Sequence, residues 1–198
     1  MRNIVLIGFM GSGKSSTAKQ LANRLNYTWL DSDTYIQEQY GQTISDIFVS
    51  KGESFFRTLE ADFIKYFSQK QNHIIATGGG MPIFNDTKKL GIRFYLQSDF
   101  NVIMERIQNQ IKQERQNIRP LFNDIKQAYN LYMQRQKLYE LQSDEIINAN
   151  GLQETITQEI LDILSTQYKI VPQDSQLENK SLQQIKHYKK ASYITDKD

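Results

Sequence analysis

Residues 8–15 read Gly8-Phe9-Met10-Gly11-Ser12-Gly13-Lys14-Ser15 and match G-x-x-x-x-G-K-[ST] at every fixed position. No other stretch constrains the fold as much, because a phosphate-cradling loop works only in a defined setting. Its glycines let the backbone wrap an anion with N–H groups turned inward. The helix that follows adds its positive N-terminal end. The setting is present. Asn3–Ile7 is an apolar run of strand length, and Ser16–Leu25 carries Ala18, Leu21, Ala22 and Leu25 at the spacing of one helix face. Gly11, Ser12, Gly13, Lys14, Ser15 and Ser16 are therefore the candidate nucleotide-binding residues. Lys14 is placed to reach β- and γ-phosphates, and the Ser15 hydroxyl to join a Mg²⁺ shell.

Beyond the loop, short β-type runs alternate with helical patterns. Strands are expected at Tyr27–Leu30, His73–Ala76, Ile92–Leu96 and Glu145–Asn148. Helices are expected at Thr34–Gln39, Ile44–Val49, Glu53–Phe67, Asp99–Ile107 (capped by Ser98), Asp124–Gln142 and Gln153–Leu164. This alternation predicts an α/β fold with a parallel sheet flanked by helices. Gln108 to Ile118 reads as a polar segment before Arg119-Pro120, suited to a lid loop that closes over ATP. Residues 1–171 form the expected domain. Residues 172–198 are polar and read as a mobile tail.

Composition narrows the function classes. The 198 residues carry 24 Lys and Arg against 22 Asp and Glu, a net charge of +2, which argues against a nucleic-acid binder. There is no cysteine, so disulfides, thiolate catalysis and cysteine-based zinc sites are excluded. The apolar N-terminal run breaks too early for a secretory signal, and no stretch approaches the ~20 apolar residues of a membrane span. No membrane partner is expected, and a cytoplasmic protein is. A phosphate loop in a body of this length favours a small-molecule kinase.

Asp31-Ser32-Asp33 closes the second strand. Strand side chains alternate, so Asp31 and Asp33 are expected to point to one side, at the end of a parallel strand where such sheets bind ligands. Asp31 is then the candidate to steady Mg²⁺, since the third strand ends in Thr77-Gly78 with no acid. Asp33 is left to face an acceptor hydroxyl; the plainer reading makes it a helix cap. Arg57 and Glu60, three apart on a helix, would ordinarily be a solvated pair, although a planar guanidinium suits a carboxylate ligand. Gly78-Gly79-Gly80 offers close backbone approach with N–H groups for an anion or hydroxyl, and its place at a strand's carboxyl end favours binding over a plain loop. Phe48, Phe55 and Phe56 read first as core residues.

GFMGSGKSS, LDSDTYI, GQTISDIFVSKGESFFRTLE, TGGG, IRPL and YMQRQKLY together resemble the shikimate kinase family, in order and spacing, from Met1 to about Tyr168. The resemblance implies a five-stranded parallel sheet of the nucleoside-monophosphate-kinase type. It implies a monomer that moves the ATP γ-phosphoryl group to the 3-hydroxyl of shikimate, with Mg²⁺, in aromatic amino-acid biosynthesis. By it, Asp31 goes with the metal and Asp33 with the shikimate hydroxyls. Arg57 and Arg135 grip the carboxylate, Glu60 orients Arg57, Gly79 contacts substrate, and Arg119 is the lid arginine on the ATP phosphates. Arg106 and the Asn150–Leu152 turn fall where adenine is held. The competing expectations are a kinase for another polyol acid such as gluconate, and a non-catalytic nucleotide-binding module.

Overall fold

The structure, a computed structural model, describes residues 2–114 and 124–171. Arg115, Arg119 and the tail 172–198 lie outside the described residues.

Five strands form one parallel sheet in the order β2-β3-β1-β4-β5: β1 Ile4–Ile7, β2 Thr28–Asp31, β3 His73–Ala76, β4 Ile92–Gln97 and β5 Glu145–Asn148. The central strand β1 is buried at every position, as expected when helices cover both faces. Alternation then sorts its side chains. Val5 and Ile7 join one core with Leu30, Ile75 and Tyr95. Ile4 and Leu6 join the other with Ile74, Phe94 and Ile147.

The helices are α1 Lys14–Leu25, α2 Ser32–Tyr40, α3 Ile44–Phe67, α4 Met81–Phe84, α5 Phe100–Glu114, α6 Ile125–Gln142 and α7 Gln153–Thr166. Helices α1 and α7 cover one face with Leu21, Leu25, Ile160 and Leu164, and the remaining larger helices cover the other. Gly52, at φ 81 and ψ 167, interrupts α3, so the two helices expected there are both present and run on from one another.

Three expectations need correction. Helix α1 starts at Lys14, two residues early, because Gly13 turns the chain at φ 94 and puts Lys14 and Ser15 in the first turn. Helix α5 runs to Glu114 and takes in most of the polar stretch assigned to the lid. Ile103, Ile107 and Ile111 keep its apolar stripe going at i+4 while glutamines and asparagine face water. The Ser98 hydroxyl, read as its cap, donates to Ala149 O at 3.2 Å.

Candidate active site

The carboxyl ends of β1, β2 and β3 lie level, with Leu6 and Asp31 both paired to Ala76. Above them opens a cleft of about 1190 Å³, lined by Gly11, Gly13, Lys14, Ser15, Ser16, Asp31, Asp33, Gly78 and Gly79 among others. This is the crevice in which open α/β sheets bind ligands.

The phosphate loop forms its floor. No side chain caps α1, so the amides of its first turn are left for an anion. Lys14 is nearly buried, and its ammonium donates to Gly8 O at 2.9 Å and Phe9 O at 2.8 Å. The ammonium is thereby held over the loop. Ser12 belongs to the loop, but its hydroxyl is buried, does not line the cleft and has no hydrogen-bond partner among the described residues.

Asp31 does two jobs. Its Oδ1 accepts from the Asp33 and Thr34 amides at 3.0 and 3.4 Å, which makes Asp31 the N-cap of α2. Its Oδ2 accepts the Ser15 hydroxyl proton at 2.9 Å, which turns the lone pairs of Ser15 Oγ away from Asp31. Asp33 is thus not the cap. Nor do the two acids share a side by strand alternation, since the helix begins at Ser32. They meet in the cleft because one starts the helix and the other rides its first turn. A hydroxyl and a carboxylate are hard oxygen donors, and Mg²⁺ commonly takes one or two such groups plus substrate phosphates. Ser15 and Asp31 fit that ion.

The glycine triplet explains the rest of the geometry. A Cβ on Gly78 would fall on the Asp33 carboxylate. One on Gly80 would lie 2.6 and 2.8 Å from the terminal nitrogens of Arg57. Between them, Gly79 O accepts from the Tyr139 hydroxyl at 2.7 Å. Arg135, one turn before Tyr139 on α6, brings its positive charge beside that tyrosine. Burial pushes the Tyr139 hydroxyl up to about 12 against the pull of Arg135, so it stays protonated and keeps donating. The triplet therefore seats Asp33, Tyr139 with Arg135, and Arg57 in consecutive positions. Gly79 in turn borders the loop at Gly8 and Met10.

Arg57 is tightly held. Its Nη1 donates to Glu60 at 2.9 Å, its other edge to Glu53, and its guanidinium lies 4.2 Å from the centre of the Phe84 ring. Glu60 is fully buried and also accepts from Asn85 at 3.0 Å. Phe56 is core, but Phe48 is 39% exposed and lines the cleft. Arg106 ties α5 to the loop after β5, donating to Ala149 O at 2.8 Å and Gly151 O at 3.2 Å. Tyr139, Glu53, Phe84 and Asn85 were missed in the sequence. Only the i,i+4 spacings Arg135–Tyr139 and Glu53–Arg57 could have pointed to any of them.

The shikimate kinase family model matches residues 10–165. The chain belongs to the shikimate kinase family. A shikimate kinase of Helicobacter hepaticus is 42% identical to this kinase over 165 residues, covering 83% of this chain and 96% of its own. The shikimate kinase of Acinetobacter baumannii, solved in complex with shikimate, is 31% identical with a TM-score of 0.72, over 84% of this chain and 95% of that one. A gluconokinase of Sinorhizobium meliloti shares the fold at a TM-score of 0.53 and 15% identity, over 83% of this kinase and 91% of its own chain. The five-stranded parallel architecture of the kinase agrees with these relatives, and its candidate site residues fall within the matched span.

Proposed function

We propose that this kinase transfers the γ-phosphoryl group of ATP to the 3-hydroxyl of shikimate, giving shikimate 3-phosphate and ADP. One observation carries the reading: beside the phosphate loop, three consecutive glycines pack against Asp33, Tyr139 and Arg57, with Arg135 next to Tyr139. A small acid with a nearby hydroxyl suits that set. The two arginines favour an acceptor that bears a carboxylate, the 42% identity to a shikimate kinase favours shikimate over gluconate, and the charged residues beside the phosphate loop disfavour a non-catalytic module.

In this reading Lys14 and the amides of Gly11–Ser16 bind the phosphates and neutralise charge that spreads over the moving group. Ser15 and Asp31 would hold Mg²⁺, whose charge would offset that of the phosphates. Asp33 holds the attacking hydroxyl and receives its proton as the new O–P bond forms and the bond to ADP breaks. Arg57 and Arg135 bind the carboxylate, remote from the reaction, which turns the hydroxyl in line with the phosphorus. Gly79 offers its backbone to substrate. Arg119 closes on the ATP phosphates by family likeness. The same likeness supports a monomeric, cytoplasmic enzyme whose working body is residues 1–171.

The test follows ADP release from the full chain with MgATP and shikimate, with gluconate in parallel. Turnover with shikimate supports the reading; intact MgATP binding without turnover on shikimate overturns it. Lys14→Ala abolishes turnover, and Asp33→Asn lowers kcat far more than ATP affinity. Arg57→Lys raises the shikimate KM; an unchanged value removes the clamp. Deleting Pro172–Asp198 leaves turnover in place.

A further inference from the structure

The Arg57 guanidinium already carries two carboxyl groups. Glu60 accepts from Nη1 at 2.9 Å. A single oxygen of Glu53, Oε1, accepts from Nε at 3.2 Å and from Nη2. The two acids are held very differently. Glu60 is 0% exposed, and the oxygen that accepts from Arg57, Oε2, also accepts from Asn85 at 3.0 Å. The Glu53 side chain is 59% exposed and, among the described residues, bonds Arg57 alone.

A third carboxylate brought to this guanidinium would meet one cation between two acids. Like charges so close are unfavourable unless one leaves or takes a proton. Glu60 cannot leave without breaking two bonds inside the core. Glu53 needs only to rotate into water, and an exposed ion pair is a weak tie. The edge it covers, Nε with Nη2, is one of the two edges on which a guanidinium takes a carboxylate through paired N–H donors.

Resting on the reading of Arg57 as the clamp for the substrate's carboxylate, we propose that Glu53 is an internal stand-in for that carboxylate. It keeps the guanidinium against Gly80 until the acid arrives, then yields its edge and turns outward. Substrate binding is thus an exchange of one carboxylate for another, and the substrate's apparent affinity is set partly by how firmly Glu53 holds on.

The experiment measures initial rates of the full-length kinase with Glu53→Gln, Glu53→Ala and Glu53→Asp. Each weakens or removes the competing ion pair. The shikimate KM falls about two- to fivefold, the range an exposed ion pair spans, while the ATP KM holds. Glu53 also begins the second stretch of α3 after Gly52, where an acid favours the helix N-terminus. Glu53→Asp keeps that charge with a shorter reach, so its lowered KM isolates the contact with Arg57. A purely structural Glu53 lowers the melting temperature and improves no KM. An unchanged or raised shikimate KM in all three variants overturns the proposal. If instead Arg57→Lys leaves the shikimate KM untouched, the clamp itself is wrong, a different result in a different variant.

Discussion

The Tyr139 hydroxyl donates to the Gly79 carbonyl oxygen at 2.7 Å and lies beside the positive charge of Arg135. One phenol thereby stands between a backbone segment and a cation of the proposed substrate site. Tyr139→Phe keeps the ring against Tyr95, whose centroid is 5.3 Å away, and removes only the hydroxyl. The Gly79 carbonyl then loses its donor, at about 1–3 kcal/mol of stability. The shikimate KM should rise several-fold with the ATP KM little changed, as steady-state rates with each substrate varied will check.

Gly80→Ala tests the close approach of Arg57 to the triplet. Gly80 sits at φ −89, where any residue is comfortable, so strain is not the issue. The new methyl would stand 2.6 Å from Arg57 Nη1 and displace the guanidinium. We expect the shikimate KM to rise at least tenfold in a protein with a native circular dichroism spectrum. An unchanged KM would mean that Arg57 relocates freely.

The two jobs of Asp31 come apart by substitution. Asparagine caps helices about as well as aspartate, so Asp31→Asn should keep thermal stability within about 0.5 kcal/mol while losing the charge beside Ser15. The Mg²⁺ concentration needed for half-maximal rate should climb several-fold. Asp31→Ala loses the cap as well, at about 1 kcal/mol. Magnesium titrations paired with thermal melts separate the effects.

Burial pushes the Glu60 carboxyl from 4.5 up to about 7, against the pull of Arg57 and with Asp33 and Glu53 adding to the rise. The folded protein therefore keeps a proton that the unfolded chain releases. The stability this group contributes is complete below about pH 4.5 and is lost as pH rises through about 7. The change is on the order of 3 kcal/mol. Denaturant unfolding of the wild type and of Glu60→Gln from pH 5 to 8 should show the difference closing or reversing with pH. A constant difference would place the Glu60 titration elsewhere.

The strands were legible in the sequence because each is a short apolar run bounded by breakers, and the phosphate loop because its chemistry fixes residue types at fixed spacing. Helix α5 was cut short because Gln108, Asn109 and Gln110 outweigh three widely spaced isoleucines. Helix α4 has four residues with Pro82 at its start, too few to leave a period. Asp31 and Asp33 were correctly grouped for the wrong reason: a cap does what alternation was asked to do. The bond from Tyr139 to Gly79 joins positions 60 apart, and the packing of Arg57 on Gly80 also joins separate elements. Contacts of that kind carry no local signature. Only the family likeness brought Arg135 and Gly79 into the same expectation.

Residues 78–80 have no side chains, and that bareness has a consequence for how such a pocket can change. Asp33, Arg57 and Tyr139 each arrive on a separate helix and converge on the same bare ribbon of backbone. New acceptors can be accommodated by rewriting any one helix at a time. The ribbon itself is a shared hinge-pin: alter it and several alignments fail together.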